Sequence, residues 1–459
     1  MPISANKEEV VFFEKVLEGF SDNEVLAKAV TVTRFDQTTM ERTNDTIWRP
    51  MPYVLPSYDG IDQSANFNTK TQLAVPVNAA GFKKSVPFSL NAVELRDMLQ
   101  QGRLSDAARQ RLGSDVNLAV LNAVAIFGTL VSRRTVAATG FDDVAQLDSI
   151  MNELGVDMEN RRVAYQSRDY NGMASNLAGR QTINQKPTNA YERAMVNGDV
   201  AGFEVLKLNY GFRLTAALGV GVTINDATAA NRRYVPRATS TAVTGETANV
   251  DNRFMTITIA VTSGTVKVGD AFTIAGVNSV HMITKQDTGQ PKTFRITGIV
   301  SGAGGSGVIQ FSPPIISADS SPTQAEIQYK NCTATPANGA ALTFLNTTAA
   351  SANPFWKQDC IELLPSTYAV PTGVGMEVMR GSTDSGMEVI MTKQGSIDNL
   401  NVKYHLLRVA FGPLCRAASL LARLLSQRID WCVEQGANEW IEPTSTAARG
   451  PSKTASIRR

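Results

Sequence analysis

The sequence predicts an α+β body interrupted by a small inserted β-barrel, and three observations lead there. Leu112, Val116, Ala119, Ala123, Phe127 and Leu130 recur at helical spacing and form one apolar stripe. Further on, Phe254–Val277 reads "FMTITIAVTSGTVKVGDAFTIAGV", short alternating strands punctuated by glycine. Near Asn353 the texture changes back, with "NPFWKQDCIELLP" and "SGMEVIMTKQGSIDNLNVKYHLLRVAFG" again reading as strand material of a mixed body. The chain leaves one domain, builds a barrel, and returns.

Taken in order, Val10, Phe13, Leu17 and Phe20 lie at helical spacing, with Glu14 and Glu18 elsewhere on the surface, so an amphipathic helix opens the chain. In "TNDTIWRPMPYVLPSYDG", Pro50, Pro52 and Pro56 forbid a helix and favour an extended, irregular path. Next, "TQLAVPVNAAGFKKSVPFSL" reads as two strands around the turn "NAAG". Pro76 and Pro87 suit a ribbon with free edges, so residues 47–90 are expected to project as an arm ending in a hairpin, with Lys83 and Lys84 at its tip. From Asn91 the period becomes helical, with breaks or bends expected at Gly102 and Gly113. A further helix, "GFDDVAQLDSIMNELGV", carries Asp142 and Asp143 in its first turn, Val144, Leu147, Met151 and Leu154 on one face, and Gly155 as its stop. "RRVAYQSRDY" reads as a buried strand. From Val220 the Thr-, Ser- and Gly-rich insert alternates Met255, Ile257, Ile259 and Val261 against Thr256, Thr258 and Ala260, and "DAFTIAG", "TFRITGIV" and "GVIQFS" supply the other strands of a Greek-key or OB-like barrel.

The 459 residues leave room for several structural units, and a net charge of +2 gives no sign of a generally basic nucleic-acid binder. Cys332, Cys360, Cys415 and Cys432 are far apart and read as reduced thiols from a cytosolic folding environment. The acidic N-terminal stretch lacks the features of a secretory signal, and no run reaches the ~20 apolar residues of a membrane span. The chain therefore reads as soluble, made in a cytoplasm, and without a membrane partner.

Residues able to do chemistry are sparse. Only His281 and His405 exist, and nothing in the sequence places them together for a nucleophilic mechanism. No cluster has zinc-ligand spacing, and "SGAGGSG" lacks the Lys-Ser/Thr and helix of a phosphate-binding loop. Glu8–Glu9 and Asp142–Asp143 sit at helix starts, where the dipole alone favours them. Phe254, Phe272, Phe294 and Phe311 read as barrel core rather than a stacking face. The sequence thus offers no catalytic, metal or cofactor site, and the chain is expected not to be an enzyme. The tail "EPTSTAARGPSKTASIRR" has the composition of disorder, and "RAASLLARLL" is helical by periodicity.

Collinear stretches then point to a family. "NDTIWRPMP", "VPFSLNAVELRD", "DAARQRLGSDVNLAVLNAVAIFGTLV", "DVAGFEV", "NVDNRFMTITI", "NPFW" and "TKQGSIDNLNVKYHLLRVAFG" follow one another as in the coat proteins of tailed bacteriophages with the HK-97-like capsid fold. The chain resembles most the branch of Salmonella phage P-22, which carries an inserted barrel. The resemblance rests on order over residues 40–425 rather than on any catalytic signature.

The resemblance implies an N-terminal arm over residues 1–46 and an extended loop over 47–90. A spine helix and peripheral domain over 91–140 precede axial and peripheral body over 141–219. The insertion domain spans 220–348 and the return to the body 349–425; the family's strands match to about Leu425, and the chain then runs on through Trp431, Cys432 and Trp440 as a partly disordered C-terminal extension over 426–459. It also puts a strand where periodicity puts a helix in "RAASLLARLL", and the resemblance is preferred because short apolar runs are ambiguous. It implies a major capsid protein of hexamers and pentamers in an icosahedral head, with Trp48, Arg49, Lys83 and Lys84 as candidate contacts to neighbouring copies. Some related coats cross-link through a Lys on this loop, whereas the barrel-bearing branch relies on non-covalent contacts. Other implied partners are a scaffolding protein, here expected against Glu14 and Glu18, a portal protein at one vertex, and double-stranded DNA bound without sequence specificity. The rival expectation is a barrel-bearing carbohydrate- or oligonucleotide-binding protein.

Overall fold

The computed structural model describes residues 26–32, 46–90 (apart from 52–53, 56, 65–66, 68–69 and 79–81), 98–134, 140–179, 199–365 (apart from 210 and 320), 376–383, 388–395, 402–415 and 421–426, with residues 10, 13, 14 and 17 of the first helix. In chain order the first elements are β1 (Thr31–Val32), β2 (Thr46–Pro50), β3 (Ala74–Asn78), β4 (Phe82–Leu90) and α1 (Met98–Phe127). Next come β5 (Leu130–Arg134), α2 (Phe141–Glu153), β6 (Arg161–Gln166), α3 (Ser167–Gly179), β7 (Phe203–Leu208) and β8 (Phe212–Leu214). The insert contains β9 (Thr223–Ile224), β10 (Thr239–Thr241), β11 (Thr247–Asn249), β12 (Met255–Ala260), β13 (Ala271–Val280), β14 (Asp287–Ile299), β15 (Gly307–Ser312), α4 (Gln324–Tyr329) and β16 (Leu342–Phe344). The body resumes with β17 (Ala350–Lys357), β18 (Ile361–Pro365), β19 (Met376–Ser382), β20 (Glu388–Gly395), β21 (Val402–Cys415) and β22 (Leu421–Ser426).

The body contains two mixed sheets linked by α1. One has the order β1-β18-β21-β20-β19, with β4 also paired to β21. The other runs β5-β22-β17-β6-β7, with β8 also on β17. Helix α1 is continuous over 30 residues, so neither Gly102 nor Gly113 breaks it. Each glycine costs about 1 kcal/mol against alanine in a helix, less than the burial of the stripe it interrupts returns. Ala108 and Leu112 pack with Leu90 and Met391 of the first sheet. Val116, Val120 and Val124 pack with Trp356 and Ile361 in the central core. Phe13 is buried beside Leu112 with Leu17 packed against the same cluster, while Glu14 is exposed, the amphipathic division that the sequence predicts.

Helix α2 also follows its pattern. Val144, Leu147, Met151 and Leu154 are buried. Gly155 ends the helix at φ +78°, a left-handed conformation that glycine adopts without cost. "RRVAYQSRDY" departs from expectation: the strand stops at Gln166 and Ser167 begins α3. Asp169 in the first turn favours a helix start, and the Ser167 hydroxyl donates to the Leu208 carbonyl at 2.8 Å. Residues 421–426 form a strand, as the resemblance implies and helical periodicity does not, lying antiparallel to β17 and parallel to β5.

The insert is a six-stranded sheet in the order β16-β13-β14-β15-β12-β9. Its ends meet through Ile224 N to Ala340 O and Leu342 N to Val222 O, both 2.9 Å, which brings the sheet close to a barrel. Met255, Ile257 and Ile259 point inward while Thr256 is exposed and Thr258 half-buried. Phe272 stands at the centre, with ring centroids 5.6 Å from Phe294, 5.8 Å from Phe311 and 6.3 Å from Phe344. Phe254, expected in this core, is instead half-buried under the Arg253 guanidinium. The insert departs from the body after β8 and rejoins it at β17, where Leu214 pairs with Ala350.

Candidate assembly surfaces

The arm begins as an antiparallel ribbon of β2 and β3, with Trp48 opposite Pro76 and Arg49 opposite Val75. The pairing expected across "NAAG" does not form. β3 stays with β2, and β4 crosses to β21, where Lys84 faces Arg408 and Lys83 faces Val409. Lys83 and Lys84 are therefore in an edge strand of a body sheet and not at a hairpin tip; the Lys84 side chain is exposed. Pro87 is tolerated because, among the described strands, β4 pairs with β21 alone.

The base of the arm is fastened to its own subunit. Arg49 makes a two-pronged ion pair with Glu362 on β18, Nη2 to Oε1 at 2.5 Å and Nε to Oε2 at 3.1 Å. Glu362 is 1% exposed. On the returning side the Gln328 amide of α4 accepts from Thr71 N and donates to Thr71 O, each at 3.2 Å. The Tyr329 hydroxyl also donates to that carbonyl at 3.0 Å. Between these anchors the arm carries bare apolar side chains: Leu55 is 61% exposed, Ile61 104% and Phe67 87%. Side chains of this size left in water within one segment mark a surface for a partner. The sequence reading missed them because a proline-rich run without period gives no face to follow.

The remaining expected contact residues divide. Trp48 is half-buried, and Arg49 is committed within the chain. Glu14 is exposed and available. Glu18, the Lys83 side chain, the His405 ring and residues 427–459 with Trp431, Cys432 and Trp440 lie outside the described residues.

A second exposed element belongs to the insert. Strands β10 and β11 form a hairpin whose strand residues are all exposed and whose Val243 is 109% exposed.

The insert is joined to the body through polar groups that the body supplies. Thr293 Oγ1 donates to Thr129 O at 2.5 Å, and the fully buried Arg295 reaches Gly128 O at 3.5 Å, both carbonyls just past the end of α1. Asn346 donates to Asp270 Oδ1 at 2.8 Å and to Thr215 O at 3.0 Å while accepting from Ala271 N. Burial pushes the Asp270 carboxyl above its ordinary pKa, and the Asn346 hydrogen bond opposes it. Burial pulls the Arg295 guanidinium down, with Asp270 acting against that. On the opposite side Met282 N donates to Leu154 O at 3.1 Å. The His281 ring lies where a Cβ on Gly155 would sit, 2.6 Å from that position. His281 Nδ1 accepts from Ile283 N and Thr284 N, a turn-holding role.

Among the described residues no three His, Cys, Asp or Glu side chains are grouped to hold a metal ion, and no helix is long and apolar enough to cross a membrane. Phe272, Phe294 and Phe311 face the barrel interior, which removes them from any stacking surface.

Among solved structures, the chain is similar to one from Mycobacterium phage Che8 at 10% identity, covering 87% of this chain and 90% of that one with a TM-score of 0.40. It is similar to the capsid of Myoviridae phage XM1 at 8% identity, covering 88% and 91%, TM-score 0.35. The CUS-3 coat protein I-domain matches at 38% identity over 29% of this chain and 98% of that one, TM-score 0.21. The family model described as "P22 coat protein - gene protein 5" matches residues 1–417, which takes in both body sheets up to β21, the arm and the whole barrel. The chain therefore belongs to the P22 coat protein family and is a tailed-phage major capsid protein, its α+β body carrying an inserted barrel-like domain.

Proposed function

We propose that copies of this chain form hexamers and pentamers that close into an icosahedral head around double-stranded DNA, without a catalytic step. The observation that carries this reading is the arm: anchored at its base to its own subunit, it presents Leu55, Ile61 and Phe67 uncovered. An adjacent copy is the natural cover, because each subunit of a closed ring meets its neighbour by the same operation. Obligate interfaces commonly bury about 2,000–5,000 Å², and an arm laid on a neighbour adds area that a solitary subunit cannot bury.

The exposed β10–β11 hairpin extends contact to copies in the next ring, and Lys84 meets an acidic patch on a neighbour. Glu14 and Glu18 face a basic scaffolding protein during assembly in the bacterial cytoplasm, and a portal protein occupies one vertex. The net charge of +2 suits a shell that encloses DNA without gripping it. Negative-stain microscopy of purified subunits, alone and with scaffold, tests the reading. Closed shells or rings are expected, and a monodisperse monomer under all assembly conditions would overturn it.

A further inference from the structure

A cavity of about 140 Å³ lies at the end of the barrel where the arm crosses it. Apolar side chains of the arm, of Leu154 at the end of α2 and of the insert line most of it, and Lys285, Lys292 and Lys330 of the insert line it too. Lys292 is the unusual member. Along β14 it shares the inward face with Phe294 and Ile296, and it is 3% exposed. Among the described residues its ammonium has no hydrogen-bond or ion-pair partner. Buried lysines are normally paired, because a desolvated charge without a counter-charge is costly.

No carboxylate lines the cavity among the described residues. The other cation there, Arg253, is already matched to Asp251 with Nη2 to Oδ2 at 2.6 Å. The neighbouring Cys332 thiol is pushed up to about 11 by burial and stays neutral. Three lysines therefore line one cavity with no carboxylate among them; Lys285 Nζ donates to the Lys330 carbonyl at 3.2 Å, and the half-buried Lys285 and Lys330 flank the fully enclosed Lys292.

We propose that this cavity binds a small oxyanion of the phosphate class, held by Lys285, Lys292 and Lys330. Each ammonium offers several donors to a tetrahedral anion, and a doubly charged one offsets most of the local positive charge. Burial and the charges of Lys292 and Lys330 bring Lys285 down to about 8, and burial lowers Lys292, both in the sense that a bound anion reverses.

The test is titration of inorganic phosphate into purified full-length subunits at constant ionic strength, with chloride as the control, read by calorimetry and thermal unfolding. Saturable binding with a rise in Tm is expected for phosphate and not for chloride. Lys292→Met keeps the shape of a buried aliphatic chain and is expected to weaken phosphate binding at least tenfold while folding normally. Lys285→Met, at a less buried position, serves as the second variant and is expected to weaken binding several-fold. Phosphate behaving as chloride does, or unchanged affinity in either folded variant, overturns the proposal.

Discussion

Replacing Arg49 by alanine removes the guanidinium that meets the Glu362 carboxylate on β18, where only 1% of the Glu362 side chain meets solvent. At the 3.1 Å of the Nε contact, an effective dielectric of about 20 gives a gross attraction of about 5 kcal/mol. Part of this is offset by the desolvation of both groups, less for Arg49, a fifth of which remains exposed. Exposed pairs are worth about 0–1 kcal/mol and breaking a buried one costs about 3–5 kcal/mol, so a half-sheltered bidentate pair belongs at about 2–3 kcal/mol. The measurement is a double-mutant cycle over Arg49→Ala, Glu362→Gln and the two combined, followed by urea unfolding of full-length subunits. Arg49→Ala alone is expected to be the worst corner, and the double variant to recover part of the loss because the buried charge on Glu362 is then gone. A coupling energy below about 0.5 kcal/mol would refute the claim that this pair fastens the arm.

Ile61→Asp or Phe67→Asp should leave subunit unfolding within about 0.5 kcal/mol of the parent, since neither side chain is covered, yet raise the concentration needed for shell assembly severalfold by light scattering. Phe272→Ala removes the ring shared by three aromatic contacts and should cost about 3–5 kcal/mol, with faster hydrogen exchange concentrated in β12–β16. Gly155→Ala forces both a left-handed alanine and a collision with the His281 ring, so a loss of at least about 1–3 kcal/mol in urea unfolding is expected. Lys285 titrates at about 8 when folded against an ordinary 10.5. Between those values the unfolded chain holds more protons, so this residue makes stability rise with pH there, and Lys285→Met should flatten the rise in urea midpoints measured from pH 7 to 10.5.

Where a pattern is local, the sequence carried it through to the structure. The inward alternation of Met255, Ile257 and Ile259 and the buried face of α2 depend only on residues a few positions apart. Choice of strand partner is different. "NAAG" looks like a hairpin turn, but β4 finds its partner more than three hundred residues away in β21, whose pairing no neighbouring residue announces. Residues 421–426 show the same limit, since a short apolar run suits helix or strand until β5 and β17 leave a gap for it. The assembly surface was legible as a region and not as residues: the prolines marked the arm, while the exposure of Leu55, Ile61 and Phe67 follows from where their neighbours do not reach. The Arg49–Glu362 pair and the convergence of Lys285, Lys292 and Lys330 are products of tertiary folding alone.

The pairing of Leu214 with Ala350 has a topological consequence. To the body sheet, everything between those residues occupies the place of a turn joining two adjacent antiparallel strands. A module seated this way can enter or leave a gene in one event without rerouting the rest of the polypeptide, because a few residues would bridge the same gap. Resistance to its loss comes from the floor on which it stands: excising the barrel would bare the Gly128 and Thr129 carbonyls that Arg295 and Thr293 now satisfy.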